Sequence, residues 1–289
     1  MPELPEVETV RRGLSELIIG KVVSGTTHDT PKGFPNTETD VKQFLIGAEI
    51  TAVRRRAKVL MIDLTTEYSL IIHLKMTGQL VFVSNEARFG AGHPNDSLVN
   101  ALPDKSTRVT LEFKDGSKLF FNDQRKFGWV KLIPTVEISE LPFMKKVGPE
   151  PLEDTFTVKQ FQDRFTRRGR TSIKAAILDQ SVVAGVGNIY ADEALWGAKI
   201  HPSRLTNTIT DTEFKNLYTE LREVMNLSIE KGGSSNRNYV NAEGKRGSYM
   251  DFARVFRREG LPCPRCGTTI EKLRVAGRGT HICPHCQTL

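Results

Sequence analysis

The sequence has no hydrophobic run of the length that a membrane span requires. A transmembrane helix needs about 20 consecutive apolar residues, and no apolar stretch of this 289-residue chain approaches that length. The first residues, MPELPEVETV, are acidic and lack the basic and hydrophobic regions of a signal peptide. These absences predict a soluble protein of the cytoplasm.

Cysteine is absent from the first 262 residues, which excludes a disulfide framework for most of the chain. Two Cys-x2-Cys pairs then follow, formed by Cys263, Cys266, Cys283 and Cys286. In a reducing compartment this spacing is typical of a zinc site. A module of fewer than 40 residues has too small a core to fold unaided, so one structural zinc ion is expected to stabilise it. Because four thiolates complete the site, His281 and His285 are interpreted as surface residues.

Acidic residues are outnumbered, since 41 Lys and Arg face 34 Asp and Glu, for a net charge of +7 and a pI of about 9.2. Residues 252 to 289 hold seven of the basic residues against only Glu259 and Glu271. A polyanionic partner fits this balance. The C-terminal end is therefore the first candidate for contact with phosphates.

A dinucleotide-binding motif is also missing. The segment AGVGNIY at 184 to 190 has two glycines before a predicted helix but lacks the third glycine and the preceding βαβ unit. A glycine turn that leads into a helix can instead present backbone N–H groups to a phosphate, with Asn188 as the helix cap or as a direct phosphate donor.

The pattern of the chain changes from strands to helices near its middle. Val7, Val10, Leu14 and Leu17 follow at helical spacing, which predicts an amphipathic helix from about Pro5 to Ile19. Eight short β-rich segments then predict a sandwich or barrel of antiparallel strands. They are VVSGTTH, AEITAVRRR, KVLMIDLT, SLIIHLKM, GQLVFVS, RVTLEFKDG, SKLFFND and GWVKLI. After GPEPLEDT at 148 to 155, which reads as a linker, the segments TVKQFQDRF, TSIKAAILDQS, NIYADEALW and the stretch from 211 to 232 predict helices.

Four motifs together resemble the bacterial formamidopyrimidine-DNA glycosylase family. They are MPELPEVETVRR at the start, DQRKFG at 123 to 128, VVAGVGNIYADEALW at 182 to 196, and the four-cysteine finger. The resemblance covers the chain from end to end. It implies an α+β fold, with an N-terminal β-sandwich and an N-terminal helix, followed by a C-terminal helical domain of the helix-two-turn-helix type that carries a β-hairpin zinc finger.

The resemblance also implies a domain order. It gives an N-terminal catalytic β-sandwich domain at 1 to 135, a helix-two-turn-helix DNA-binding domain at 150 to 231, and a zinc finger at 251 to 289. The residues between them, 232 to 250, are rich in Gly, Ser and Asn, a composition that favours mobility or a plain linker. The resemblance favours a mobile lesion-recognition loop. DNA is expected in the cleft between the two main domains.

Three residues are implied as catalytic. A proline behind the initiator methionine permits removal of Met1, which leaves the secondary amine of Pro2 at the N-terminus. An α-amino group titrates near 7.7 to 8.0 against about 10.4 for lysine, so more of it is nucleophilic at neutral pH. In the family this amine attacks the sugar carbon that bears the damaged base. Glu3 resembles the family's acid and base, and Lys58 corresponds to a lysine near the lesion. The sequence alone favours a solvated lysine at a strand end for Lys58, and only the resemblance implies a catalytic role.

Five further residues are implied as DNA-binding. An extruded nucleotide leaves a vacancy in the duplex, and Met76, Arg125 and Phe127 match the residues that fill it, with Phe127 as an apolar wedge and Arg125 as a hydrogen-bond donor to the orphaned base. Asn188 and Arg278 match residues that contact phosphates, with Arg278 at the tip of the predicted hairpin. Ordinary core packing is the alternative for Met76 and Phe127.

The implied function is a bifunctional glycosylase and abasic-site lyase. It would remove oxidised purines from double-stranded DNA as a monomer, and then cut the strand by β- and δ-elimination. The alternatives are an endonuclease VIII-like glycosylase for oxidised pyrimidines, a non-catalytic zinc-containing DNA-binding protein, and a zinc-ribbon protein that binds RNA or a partner protein.

The sequence departs from the family pattern at two places. Ser106 stands where a histidine is common, and Phe256-Arg257 stand where Tyr-Gly is usual. The polar stretch from Asn85 to Lys105 has no predicted role.

Overall fold

The structure, a computed structural model, describes residues 1 to 234 and 249 to 289. The segment predicted to form the lesion-recognition loop, 232 to 250, thus lies mostly outside the described residues. The described chain divides into two compact units. The first holds Met1–Lys145 and residues 231 to 234, and the second holds Lys146–Glu230 and Tyr249–Leu289.

The first unit is an antiparallel β-sandwich with a helix packed on it. The helix is α1 (Leu4–Ile18), and the strands are β1 (Val23–His28), β2 (Ile50–Arg56), β3 (Val59–Leu64), β4 (Tyr68–His73), β5 (Gly78–Val83), β6 (Arg88–Gly92), β7 (Thr107–Phe113), β8 (Lys118–Asp123) and β9 (Trp129–Pro134). One sheet has the order β1-β7-β8-β5-β6, and the other has the order β2-β3-β4-β9. Short helices α2 (Glu38–Asp40) and α3 (Pro142–Lys146) complete the unit, with a π-helical turn at Val41–Leu45 and 3-10 turns at Asp96–Leu98 and Thr135–Glu140.

The two sheets and α1 enclose one hydrophobic core. Val7, Val10, Leu14 and Ile18 of α1 are fully buried, as their helical spacing predicts. They pack with apolar residues of both sheets, among them Phe82 and Phe121. Burial of so many aliphatic and aromatic side chains is the main driving force for this unit. The sandwich predicted from the sequence is confirmed, and the barrel alternative is wrong.

Strand β6 lies within the polar stretch that had no predicted role. Its sequence, RFGAG, has two glycines, which are poor strand formers. The glycines are explained by close approach: a Cβ at Gly92, whose φ is +123°, would lie 2.5 Å from the Gly78 oxygen. Phe89 of the same strand lies against α1 at Gly13, where a Cβ would overlap the phenyl ring at 2.2 Å. The stretch therefore forms an edge strand that covers α1.

The second unit is helical and ends in a hairpin. Its helices are α4 (Val158–Phe165), α5 (Ile173–Leu178), α6 (Asn188–Gly197) and α7 (Asp211–Glu230), and its strands are β10 (Glu271–Val275) and β11 (Arg278–Ile282). Short 3-10 turns lie at Thr166–Arg168, Thr206–Thr208 and Tyr249–Asp251. The four predicted helices are confirmed. Within the described part of the chain, no helix has the length and apolar content to cross a membrane.

The segment at 148 to 155, predicted as a linker, is held by the second unit. The Gly148 N–H donates to the Gln180 oxygen over 2.8 Å, and the Ala184 N–H donates to the Pro149 oxygen over 2.9 Å. Gln180 in turn braces the turn between α5 and α6, because its side chain bonds the Gly185 N–H and the Val186 oxygen. The linker interpretation is therefore wrong for these residues.

Candidate nucleic-acid interface and zinc site

The N-terminus is fixed by a carboxylate of its own helix. Glu6 is buried, and its Oε2 accepts the Glu3 N–H over 2.7 Å, while its Oε1 accepts the Ser234 N–H over 2.8 Å. Glu3 and Pro2 are also buried, whereas Met1 is 47% exposed. The Glu6 carboxylate thus bonds Glu3, in the predicted catalytic dipeptide, and also Ser234, which is far from it in sequence.

Lys58 follows a tight turn between β2 and β3. Ala57 has a φ of +52°, and its oxygen accepts a hydrogen bond from Arg55 over 3.0 Å. Lys58 itself is only 8% exposed, so the alternative of a solvated strand-end lysine is wrong. Burial, together with the charges of Lys75 and Lys58, lowers the pKa of nearby His73 to about 3. His73 is therefore neutral at physiological pH, and its Nδ1 accepts the Lys75 N–H over 3.0 Å.

We expect His73 to make stability depend on pH. Its pKa falls from 6.5 to about 3 on folding, so the unfolded chain takes up a proton below pH 6.5 that the folded chain does not. The stability contributed at neutral pH should be lost as the pH falls from 6.5 towards 3, by up to about 1.4 kcal/mol per pH unit. Denaturant midpoints of the wild type and of His73→Gln over this range test the expectation, with His285→Gln as an exposed control. Parallel pH profiles for the wild type and His73→Gln would contradict it.

The three residues predicted to fill a vacated base position lie on two loops of the sandwich. Met76 is half-buried on the β4–β5 loop, and Arg125 and Phe127 are exposed on the β8–β9 loop. The Arg125 guanidinium lies 5.0 Å from the centre of the Phe127 ring, and the Lys32 ammonium lies 5.8 Å from it. Phe127, with 47% of its surface exposed, is not a core residue. An exposed aromatic ring between cations suits contact with stacked bases and phosphates.

Asn188 and Arg278 lie close together in the second unit. Helix α6 begins at Asn188 with Gly187 as its N-cap, so the interpretation of Asn188 as the cap is wrong. Its Nδ2 instead donates to the Gly279 oxygen over 2.9 Å, next to Arg278. Arg278 is exposed directly after a two-residue turn at Ala276 and Gly277, both with positive φ. The Asn188 side chain is thus bonded to the residue that follows Arg278.

A buried ionic network fixes the hairpin on helices α5 and α6. Lys174 and Asp192 are fully buried and 2.6 Å apart. The Lys174 ammonium also donates to Thr280 Oγ1 over 2.7 Å and to the Gly279 oxygen over 3.2 Å. Asp192 Oδ2 accepts the His281 N–H over 3.0 Å. His281 is 3% exposed, so its interpretation as a surface residue is wrong, whereas His285 is exposed as predicted.

We expect Lys174→Met to destabilise the second unit by about 3 to 5 kcal/mol, because it leaves the Asp192 carboxylate buried without its cation. The matched control is Lys159→Met, which removes a lysine from an exposed pair with Asp163 and should cost less than about 1 kcal/mol. Denaturant unfolding followed by intrinsic fluorescence compares the two. Equal, small losses would contradict the assignment of Lys174 as a buried structural cation.

The four cysteine sulfurs form one compact group. All four lie within 4.8 Å of one another, with Cys266 Sγ 3.4 Å from Cys283 Sγ and 3.5 Å from Cys286 Sγ. A tetrahedral zinc site with Zn–S bonds of about 2.3 Å requires S–S edges near 3.8 Å. Hydrogen bonds from Thr268 lower the pKa of Cys266 to about 6, which favours the thiolate that a zinc ion binds. The donor set and its spacing fit one structural zinc ion.

Several buried polar residues support the candidate site, and none of them was predicted from the sequence. Asp123, Lys174, Asp192 and Glu193 each have no measurable exposure. Glu193 accepts backbone N–H groups of the segment that leads to the cysteines, among them Val255 over 2.9 Å and Phe256 over 2.8 Å. A charged residue on a helix or at a strand end is usually solvated. For Asp192 and Glu193, the apolar residues around them in NIYADEALW could have indicated burial, and the sequence offers no such sign for Asp123 or Lys174.

The described residues define a class: a β-sandwich unit and a helical unit with a four-cysteine hairpin that fits zinc. Three family models match in the same order. The formamidopyrimidine-DNA glycosylase N-terminal domain matches residues 1 to 130, the formamidopyrimidine-DNA glycosylase H2TH domain matches 147 to 239, and the zinc finger found in FPG and IleRS matches 260 to 289.

Relatives cover the whole chain. It is 43% identical over 289 residues to formamidopyrimidine-DNA glycosylase of Pediococcus pentosaceus, with 100% of both chains covered. It is 42% identical to that of Listeria innocua, covering 99% of this chain and 100% of the relative. A Lactococcus lactis FPG mutant in complex with Fapy-dG-containing DNA superposes with a TM-score of 0.87 at 36% identity and full coverage of both chains. MutM (FPG) of Thermus thermophilus gives 0.83 at 38% identity, covering 99% of this chain and 98% of that one. The chain belongs to the formamidopyrimidine-DNA glycosylase family.

Proposed function

We propose that this protein is a bifunctional DNA glycosylase and abasic-site lyase of base excision repair. Its substrates are double-stranded DNA with 8-oxoguanine or formamidopyrimidines, and DNA with abasic sites. The observation that carries the proposal is family membership over the whole chain. We assign Pro2 and Glu3 as its catalytic residues. Solved relatives are complexes with Fapy-dG-containing DNA and with abasic-site DNA. We propose a cytoplasmic location and a monomeric state.

In the proposed reaction the Pro2 nitrogen, free after loss of Met1, attacks the sugar carbon that bears the damaged base. The bond from that carbon to the base breaks, and the base leaves. Glu3 protonates the sugar ring oxygen as the ring opens, and the sugar carbon and the nitrogen then form a Schiff base. β-Elimination breaks the bond to the 3′ phosphate and δ-elimination breaks the bond to the 5′ phosphate. Lys58 lies near the lesion in this scheme, and its burial keeps its position defined.

The other proposed roles concern DNA binding. Met76, Arg125 and Phe127 occupy the space that the extruded nucleotide leaves. Asn188 and Arg278 contact phosphates and position the duplex without reading its sequence. The exposure of Arg125, Phe127 and Arg278 supports these roles, because each side chain is free of the protein core. The zinc ion, held by the four cysteines, supplies structural stability to the hairpin that carries Arg278.

Excision assays on defined duplexes test the proposal. Matched duplexes with 8-oxoguanine or with an oxidised pyrimidine are incubated with the zinc-loaded protein, and the ends of the cut strand are analysed. We expect excision of the oxidised purine, followed by cleavage that leaves phosphates on both sides of the gap. Preference for the oxidised pyrimidine would favour the endonuclease VIII-like alternative. Binding without any cleavage, at abasic sites included, would favour a non-catalytic DNA-binding protein.

A further inference from the structure

The two loops with the proposed vacancy-filling residues leave the sandwich side by side. Strands β5 and β8 pair with Gly78 opposite Asp123. Strands β4 and β9 of the other sheet pair with His73 opposite Trp129. The β4–β5 loop and the β8–β9 loop therefore both cross from one sheet to the other at the same edge. Met76 precedes Gly78 by two residues, and Arg125 follows Asp123 by two.

Asp123 lies between the bases of these loops, and both of its carboxylate oxygens are occupied by them. Its Oδ1 accepts the Thr77 hydroxyl and, over 3.1 Å, the Arg125 N–H. Its Oδ2 accepts the Phe127 N–H over 2.8 Å and the Gly128 N–H over 2.7 Å. Thr77 Oγ1 also accepts the Arg125 N–H, over 3.0 Å. One buried carboxylate thus fixes the backbone at Arg125 and Phe127 and binds the residue that follows Met76.

The loops need such support because each contains a residue in an unfavourable conformation. Lys75, directly before Met76, has a φ of +50°, and Lys126, between Arg125 and Phe127, has a φ of +56°. Residues other than glycine seldom adopt this left-handed region, and they persist in it where the surrounding hydrogen bonds determine the backbone. The bonds to Asp123 on both sides of Lys126 meet that condition.

Arg108 fixes Asp123 from the side of the sheet. Its Nε donates to the Asp123 backbone oxygen over 2.7 Å, and one of its terminal nitrogens donates to the Lys105 oxygen over 2.7 Å. The guanidinium also pairs with the Asp29 carboxylate. Arg108 is 7% exposed and Asp123 is fully buried. The support for the loops is therefore part of the folded sandwich.

We propose that Asp123, together with Thr77, is a positioning residue that presets both loops for insertion into the duplex. The proposal rests on the proposed function, because it assigns how Met76, Arg125 and Phe127 are held for that role. A loop already in its bound conformation loses less conformational entropy on binding. A preset backbone also directs the Arg125 side chain towards the orphaned base. Arg125 can then discriminate between cytosine and other bases at that position. Asp123 itself is fully buried beneath the loops, so we assign it a positioning role and not a DNA contact.

Thr77→Val tests the proposal. It removes the hydroxyl that binds Asp123 and Arg125, and it leaves a side chain of nearly the same shape. Thr77→Ser is the conservative variant that keeps the hydroxyl. The matched control is Thr107→Val, on the neighbouring strand β7, whose hydroxyl binds Asn122 Oδ1 over 2.9 Å and touches neither loop. Asp123→Asn is a second variant, which keeps the size of the side chain and removes its charge.

The first measurement is amide hydrogen exchange of residues 124 to 128 in the zinc-loaded protein without DNA. Loss of a hydrogen bond to a charged acceptor should speed exchange there about tenfold in Thr77→Val and in Asp123→Asn. Thr77→Ser and Thr107→Val should exchange as the wild type does. Unchanged exchange in Thr77→Val and Asp123→Asn would overturn the proposal, and this measurement does not depend on enzymatic activity.

The second measurement is the ratio of single-turnover excision rates for 8-oxoguanine opposite cytosine and opposite adenine. Thr77→Val should lower this ratio towards that of Arg125→Ala, and Thr77→Ser should restore it. Strand cleavage at an abasic site placed opposite a second abasic site, where Arg125 has no base to contact, should fall by less than excision opposite cytosine does. Equal losses on all substrates would show a merely structural role and overturn the proposal. Absence of excision by the wild type would refute the proposed function instead, and the exchange data would still decide the role of Asp123.

Discussion

A protein that retains Met1 is expected to form no covalent complex with DNA when borohydride is added during the reaction. With Met1 in place, the Pro2 nitrogen belongs to a tertiary amide, whose lone pair is delocalised and cannot attack the sugar carbon. Once Met1 is removed, the same nitrogen is an amine that is partly unprotonated at neutral pH. Insertion of one glutamine between Met1 and Pro2 gives such a blocked protein without adding a side-chain amine, and intact mass verifies its N-terminus.

Two controls separate this chemistry from a structural effect. Pro2→Gly keeps a terminal amine with different geometry and basicity, so it should still form trapped complex, but more slowly. Pro5→Ala changes the first turn of α1 and leaves the terminal amine intact, so trapping should be close to that of the wild type. Undiminished trapping by the blocked protein would refute the assignment of Pro2 as the nucleophile.

Removal of zinc is expected to abolish specific DNA binding while the β-sandwich stays folded. The hairpin has a small hydrophobic core, in which Val255, Cys263, Ile270 and Cys283 pack on Trp196. Two of these five residues are themselves zinc ligands, so loss of the ion removes both the crosslink and part of the core. Arg278, on the hairpin, should then lose its fixed position. The sandwich has its own core and contains no cysteine among its residues.

Cys266→Ser and treatment with a chelator both test this expectation. Metal analysis should give one zinc per chain in the wild type and none in Cys266→Ser, and DNA binding should fall to the non-specific level. His285→Ser, at an exposed position beside Cys286, is the control that should keep zinc and binding. The unfolding transition of the sandwich should remain in every variant. Full binding by zinc-free protein, or stoichiometric iron in place of zinc, would contradict the account.

The architecture could be predicted from the sequence where the pattern is regular. All eight predicted strands are present, because each combines β-branched or aromatic residues with turn signals. Helix α1 begins and ends one residue before its predicted bounds. Strand β6 was missed, because glycines at 90 and 92 suit a close approach that only the folded sandwich creates. Local propensity carries no information about such long-range contacts.

The residues of the candidate site could be predicted from the sequence only in part. Motif resemblance supplied Pro2 and Glu3, and spacing alone supplied the four cysteines, whose sulfurs the structure places within reach of one zinc ion. The catalytic and DNA-binding roles stay predictions. The supporting carboxylates of Asp123 and Asp192 were not predicted, because their burial depends on partners that lie 46 and 18 residues away in sequence. Arg257, which the resemblance implies at a position where glycine is usual, adopts a φ of +58°.

Borohydride trapping of the unaltered protein on a duplex with 8-oxoguanine, followed by protease digestion and mass spectrometry of the adduct, tests the central claim most directly. The account predicts one adduct, on the peptide that begins with Pro2 and lacks Met1. An adduct on Lys58 or on any other lysine, or excision of the base with no adduct at Pro2, would contradict it.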